Sequence, residues 1–243
     1  MPVLLDAGLP GPARGVFTTR QGGISLPPWD GLNLAVEVGD AFAKVQRNRI
    51  LVSEQLGLPG LAFAKQVHGA SVRVVRGLSN KTSRGLDDTD GLVTTVPFVP
   101  LAVRGADCLP VLLSSVTGTP VVGAAHVGRR GLVNGILSQV LSVMREQGAG
   151  QLQAVIGPGI CGACYEVPGS MAGEADKAAP GSRCTTRAGT TGIDLTRGAG
   201  AQLAAEGVPW TAVGGCTAEQ PDRFFSYRRD GVTGRQAGVV WLT

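Results

Sequence analysis

The chain has 243 residues, of which 43% are hydrophobic and 16% charged, a composition that excludes a disordered polypeptide. Its net charge of +4 is mild, and its basic residues are scattered rather than gathered into a stripe with interleaved aromatics, which argues against a nucleic-acid partner. No apolar run approaches a membrane span, and Met1 to Gly15 lacks the charged and then apolar pattern of a secretory signal, so we expect a soluble cytoplasmic protein with no membrane partner and reduced thiols.

Val16 to Thr19 predicts a short strand, followed by a turn-rich stretch from Gln21 to Gly31. Asp40 is placed to cap a helix over 41–56 with Phe42, Val45, Val52 and Leu56 on one side. Val72 and Val74 alternate as a strand, and the polar stretch from Leu78 to Asp88 reads as a surface loop. Further strands are expected at Leu92 to Val96, Leu101 to Val103 and Val111 to Leu113. Pro120 to Ala125 is an apolar strand that delivers His126 at its end, and Gly128 to Gly131 is the turn after it. One amphipathic helix should follow, because Val133, Ile136, Leu137, Val140, Leu141 and Met144 keep the helical period. Gln153 to Ile156 is a strand that ends in Gly157-Pro158-Gly159. Asp194 caps a helix that ends near Glu206, and Trp210 to Val213 is a strand. The closing strand, Gly238 to Leu242, is expected to pair with the segment around Phe224 to Tyr227. Strands and helices mix without a βαβ rhythm, so the fold class is α/β, with mixed sheets and outer helices in a single domain over residues 1–243, and not a Rossmann fold.

The chemistry is concentrated in few residues. The chain has only two histidines, His68 in Lys65-Gln66-Val67-His68-Gly69 and His126 in Ala125-His126-Val127-Gly128. Between them lies Ala106-Asp107-Cys108-Leu109-Pro110. Two imidazoles and one thiolate can hold a single zinc with an open fourth position, where the metal lowers the pKa of a water or polarises a substrate atom. No short-range signature such as HExxH joins the three, and they also fit ordinary histidines beside a small buried cysteine. Gly128-Arg129-Arg130-Gly131 reads either as an anion site at a helix start or as a plain turn with solvated arginines. Cys161-Gly162-Ala163-Cys164 admits a redox or zinc role, yet a zinc knuckle needs a second pair, and Cys184 and Cys216 are far apart in sequence. Arg228-Arg229-Asp230-Gly231 is expected to be a solvated hairpin turn. Gly157-Pro158-Gly159 is not a P-loop, and no GxSxG elbow is present.

Several ordered motifs then carry a resemblance. They are Phe17-Thr18-Thr19-Arg20-Gln21-Gly22-Gly23, Leu32-Asn33-Leu34, Gln66-Val67-His68-Gly69, Asp90-Gly91-Leu92-Val93-Thr94, Ala106-Asp107-Cys108-Leu109-Pro110, Cys164-Tyr165-Glu166-Val167 and Phe225-Ser226-Tyr227-Arg228-Arg229-Asp230. Together they resemble the laccase-domain, or polyphenol oxidase, family, better described as purine nucleoside phosphorylases. The resemblance runs from Phe17 to Leu242. It implies a layered, α/β/β/α-like fold, and zinc bound by residues matching His68, Cys108 and His126. It also implies phosphorolysis of adenosine, inosine and S-methyl-5'-thioadenosine to free base and (methylthio)ribose 1-phosphate, with adenosine deaminase activity beside it. Copper-dependent phenol oxidation is the family's older attribution, and some bacterial members are linked to editing peptidoglycan precursors. Two departures stand out: Arg129 where the family has tryptophan, and Gly105 where threonine is usual.

Within that reading Cys108 and His126 are catalytic as well as metal-ligating. Arg20 and Arg130 are expected to hold phosphate, and Asp107 to orient a ligand or carry a proton. A multicopper oxidase needs on the order of ten histidines for its copper centres. Two histidines leave room only for a single copper substituting for zinc, with weak oxidation. The rival enzyme is a thiol amidase or deamidase with Cys108 as nucleophile and a histidine as its base. A non-catalytic protein would instead close a structural zinc with a fourth ligand such as Cys161 or Cys164.

Overall fold

A computed structural model describes residues 1–243 apart from the side chain of Lys81. The strands β1 (Leu4–Asp6) and β2 (Ala13–Thr18) form an antiparallel hairpin, and a long irregular turn leads to α1 (Phe42–Leu56). Then come β3 (Ala62–Phe63), β4 (Val72–Val74), α2 (Asn80–Arg84), β5 (Gly91–Thr94), β6 (Leu101–Gly105), β7 (Leu109–Ser115) and β8 (Val122–Val127). Two helices, α3 (Arg129–Val133) and α4 (Ile136–Glu146), precede β9 (Leu152–Ile156). The chain continues through α5 (Gly169–Ala178), β10 (Arg183–Thr185), β11 (Thr191–Ile193), α6 (Leu195–Ala205), β12 (Trp210–Ala212), α7 (Tyr227–Asp230) and β13 (Gln236–Leu242).

These strands build a five-stranded sheet, β1-β2-β13-β6-β3, and a six-stranded sheet, β12-β9-β7-β8-β5-β4, with β10 and β11 as a separate hairpin. Strands β7 and β8 are buried along almost their whole length, which is why they read as continuous apolar runs rather than alternating ones. Phe17, Val103 and Val240 from one sheet meet Leu92, Leu112, Ala124 and Val155 from the other, so the two sheets share a core. Val52 of α1 packs with Phe63, Val239 and Trp241 on the outer face of the five-stranded sheet. Ile136, Leu137, Val140 and Met144 of α4 pack with Ala172, Ala199 and Leu203 on the outer face of the six-stranded one. The layers are therefore helix, sheet, sheet, helix.

Several sequence expectations need correction. Asp40 does not cap α1: its Oδ2 accepts from Ser25 Oγ (2.6 Å) and Asn33 Nδ2 (3.0 Å), and the cap position, Ala41, has no side-chain bond. Phe42 lies on the solvent side of α1, 56% exposed. The single helix expected after His126 is two, because Gly135 sits at φ 77°, which a continuous helix cannot contain. The stretch Leu78 to Asp88 contains α2. Arg228 to Gly231 is not a hairpin turn: Ser226 Oγ accepts from Arg229 N (3.3 Å) and caps α7 instead. The closing strand β13 pairs with β2 and β6 rather than with Phe224 to Tyr227. Contact with that segment runs through one side chain, Gln236, which accepts from Phe225 N (2.8 Å) and donates to Phe225 O (3.1 Å).

Register decides where the chemistry falls. In the six-stranded sheet β8 runs antiparallel to both β7 and β5, and β4 runs parallel to β5. The starts of β4, β5 and β7 and the end of β8 therefore share one edge of the sheet. The ends of β9 and β12 reach the same edge, since β9 is antiparallel to β7 and β12 parallel to β9.

Candidate metal centre and active site

At that edge Cys108 directly precedes β7, and His126 is the last but one residue of β8, opposite Pro110. Asp90 directly precedes β5, and His68 lies in the loop before β4. One ligand atom from each of His68, Cys108 and His126 lies within 4.8 Å of the others. Cys108 Sγ is 3.8 Å from His68 Nε2. A tetrahedral zinc with ordinary bond lengths separates a sulfur and a nitrogen ligand by about 3.5 Å, so the three fit a metal with little movement.

Asp90 organises the site. Its fully buried carboxylate accepts from the backbone N–H groups of Val67 (3.2 Å), His68 (3.0 Å) and Gly69 (2.8 Å), and from His126 Nδ1 (2.8 Å). A carboxylate acceptor assigns the proton of His126 to Nδ1 and leaves Nε2 as the nitrogen open to a metal. The three backbone bonds hold His68 at φ 62°, a left-handed conformation that costs a histidine free energy. Gly128 adds a steric condition, because a Cβ there would lie 2.7 Å from Cys108 Sγ and 3.1 Å from His68 Cδ2. In the sequence Asp90 is visible only as part of a strand motif. No helical or strand period points to it, because its role arises from two neighbouring strands ending together.

Electrostatics favour an ionised sulfur. Burial opposes charge on Cys108, but positive His126 and hydrogen bonds from both histidines outweigh it and bring the thiol down to about 6. Burial likewise opposes charge on His126, but the Cys108 thiolate and Asp90 raise it to about 9. In the metal-free protein the two are thus poised as thiolate and imidazolium.

The triad opens into a cavity of about 690 Å³, lined among others by Glu37, Arg130, Tyr165, Arg228 and Arg235. Most of its arginines are engaged: Arg104 with Glu37 (2.7 Å), Arg129 with Glu174 (2.8 Å) and Arg228 with Glu166 O (2.8 Å). Among the described residues, the Arg130 guanidinium has no protein partner. Since α3 spans only five residues, any anion held there would rest on guanidinium groups rather than on a helix dipole.

The other expected site residues are placed differently. Asp107 lines the cavity, but its carboxylate accepts from Thr217 Oγ1 (2.6 Å), Ser226 Oγ (2.7 Å) and Arg228 N (2.6 Å). Those bonds hold Asp107 itself at φ 105° and fix the wall before β7; none goes to a histidine. Arg20 does not line the cavity: it pairs with Asp30 (2.8 Å), donates to Pro221 O (2.9 Å) and lies over the Phe225 ring. Cys161 and Cys164 do not join the triad but gather with Cys216 and Glu219. Among the described residues no fourth protein ligand closes the triad, the arrangement of a catalytic rather than a structural site.

Fold and site together define a layered α/β protein with a His68–Cys108–His126 triad, a candidate metal site, opening into a cavity lined by arginines. The family model for the multi-copper polyphenol oxidoreductase laccase matches residues 14–243, and the chain belongs to that family. It is 44% identical over 234 residues to a purine nucleoside phosphorylase of Mycobacterium tuberculosis, covering 94% of this chain and 92% of that one. It is 45% identical over 242 residues to a purine nucleoside phosphorylase of Streptomyces griseus, covering 97% of each. Among solved structures, a Neisseria meningitidis protein superposes with a TM-score of 0.87 at 35% identity, over 98% of both chains. The protein YlmD of Geobacillus stearothermophilus gives 0.87 at 32%, over 98% of this chain and 96% of that one. Among the described residues no helix is long and apolar enough to cross a membrane.

Proposed function

We propose that the chain is a zinc-dependent purine nucleoside phosphorylase. The observation that carries this reading is the open His68–Cys108–His126 triad beside Arg130 in a cavity large enough for a nucleoside and phosphate. The relatives named purine nucleoside phosphorylase support the substrate class. His68, Cys108 and His126 would hold the metal, and zinc bound there supplies Lewis acidity and a water of lowered pKa.

The chain's own groups do the rest. Arg130 binds the incoming phosphate. The attacking phosphate oxygen forms a bond to the anomeric carbon as the glycosidic C–N bond breaks, and the purine leaves with that electron pair. Tyr165, Ile160 and Leu195 give the cavity an apolar wall for the base. Asp90, by accepting from Nδ1, would keep the Nε2 lone pair of His126 free for a metal. Asp107 acts as a positioning residue by fixing Ser226, Thr217 and the start of α7. Adenosine, inosine and S-methyl-5'-thioadenosine are the substrates under this reading.

Adenosine deamination is a second activity of the same site. It is favoured by the open fourth position of the triad, where zinc would activate a water for attack on the purine C6. A thiol amidase is the reading that the Cys108–His126 pair favours if the site carries no metal.

The test is metal content of tag-free protein, measured by element, beside adenosine turnover with and without phosphate for wild type and Cys108→Ala. The proposal expects one zinc in the triad, lost in the variant together with phosphate-dependent adenine release. Inosine formed without phosphate reports deamination. Wild-type protein without triad metal, or with no purine release, overturns the proposal.

A further inference from the structure

We propose that Cys161, Cys164, Cys216 and Glu219 form a second metal centre, a thiolate-rich tetrahedral site for a zinc-class divalent cation that clamps two loops at the wall of the cavity. One ligand atom from each of the four residues lies within 4.8 Å of the others. A tetrahedral zinc separates two sulfur ligands by about 3.8 Å, so metal entry requires only a small contraction. Cysteine thiolates with one carboxylate suit a borderline-soft d10 ion.

Topology explains how ligands so far apart in sequence meet. Cys161 and Cys164 lie in the loop leaving β9, and Cys216 and Glu219 in the loop leaving β12. Those strands are parallel neighbours, so their exits lie side by side, and a bridge between Gly159 and Cys216 locks the register. The missing second pair of the CxxC is thus completed across the sheet.

The surroundings converge the sulfurs on one point rather than setting two of them aside as a simple dithiol. Cys161 N donates to Cys216 Sγ (3.4 Å), a bond that stabilises negative charge on sulfur. The backbone N–H groups of Cys164 (3.0 Å) and Tyr165 (3.1 Å) both turn back to Cys161 O, which curls the two sulfurs of the CxxC toward one point. Arg187 pairs with Glu219, orients its carboxylate and offsets the surplus negative charge, while its own N–H donates to Ala163 O (3.0 Å). A disulfide would use two of the sulfurs and leave the other thiol and the carboxylate without a role. Binding displaces three thiol protons to solvent as three metal–sulfur bonds form.

The centre is separate from the triad but tied to it. Tyr165, next to Cys164, lines the cavity and stacks on Arg228. Thr217, next to Cys216, donates to Asp107. A metal here would fix both walls through their neighbours in sequence.

The experiment uses Cys108→Ala protein, which removes the triad metal, so its outcome does not depend on the proposed activity. Elemental analysis of folded Cys108→Ala is expected to find one metal per chain, lost when Cys216→Ser is added. Cobalt substitution in Cys108→Ala is expected to give a sulfur-to-cobalt charge-transfer band that weakens with Cys161→Ser. It needs no Cys216 variant, and so it decides the matter if that variant does not fold. Folded Cys108→Ala that carries no metal and gives no such band overturns the proposal. So does mass analysis that finds a disulfide among Cys161, Cys164 and Cys216 in the protein as purified.

Discussion

Replacing Asp90 with asparagine keeps the shape of the side chain but turns one of its acceptor oxygens into a donor. The wild-type oxygens divide their work: Oδ2 accepts from Val67 N and Gly69 N, and Oδ1 from His68 N and His126 Nδ1. If the amide nitrogen takes the Oδ2 place, two half-buried backbone N–H groups face a donor. If it takes the Oδ1 place, His68 N loses its acceptor and His126 must move its proton to Nε2, which withdraws the metal-binding lone pair. An unpaired donor costs about 1–3 kcal/mol when fully buried, so two half-buried ones, or one together with the displaced His126 proton, predict a loss of roughly 2–4 kcal/mol. For a chain of this length that lowers the melting temperature by roughly 5–15 °C, and disturbing such an outer partner weakens metal binding about 10–100-fold. Scanning calorimetry of chelator-treated protein reads the first effect, and competition with a chromophoric chelator reads the second. An Asp90→Asn protein that melts within about 2 °C of wild type and holds metal as tightly would refute the assignment of Asp90 as organiser of the site.

Other predictions follow from the same geometry. Gly128→Ala places a methyl 2.7 Å from Cys108 Sγ, so metal affinity in the same competition assay should fall by about tenfold or more. In metal-free protein, carbamidomethylation of Cys108 should have a pH midpoint of about 6, slowing below it as the thiol regains its proton. A midpoint near that of an ordinary thiol would show that His126 does not stabilise the thiolate, and zinc-loaded protein should be protected throughout. Arg130→Ala removes the cavity guanidinium that has no partner among the described residues and should raise KM for phosphate about 10–100-fold. It should leave phosphate-independent turnover of adenosine largely unchanged, and equal losses in both reactions would place Arg130 elsewhere in the mechanism.

The candidate triad is legible in the sequence because its residues are scarce: with two histidines, any imidazole chemistry has to use His68 and His126. Strands β7 and β8 are legible because their burial makes long apolar runs. What escapes depends on contacts between elements. Asp90 looks like any polar residue before a strand until β5 is set beside β8 and its carboxylate meets Nδ1 of His126. Arg20 sits in a motif of the family, yet its charge is spent on Asp30 and Pro221 O, and nothing in its neighbours along the chain reveals that. Residues 224–227 and β13 do come together, but through the side chain of Gln236 rather than a backbone ladder, a difference no periodicity encodes.

One edge of one sheet carries all of this chemistry, and Asp107 explains how its parts are joined. It lies between β6 and β7, beside Cys108 of the triad, and its backbone oxygen accepts from Ile160 N (2.9 Å) in the loop after β9. Its carboxylate takes Thr217 from the loop after β12 and Ser226 and Arg228 from the start of α7. Each of these segments supplies a wall residue or a cysteine of the second cluster. An Asp107→Ala change therefore acts on positioning: it removes the acceptor of Thr217, Ser226 and Arg228 N together, and the substrate wall would loosen while the triad keeps its ligands. The expected outcome is a raised KM for nucleoside with metal content unchanged. A large loss of kcat at unchanged KM would instead return Asp107 to the role of proton carrier.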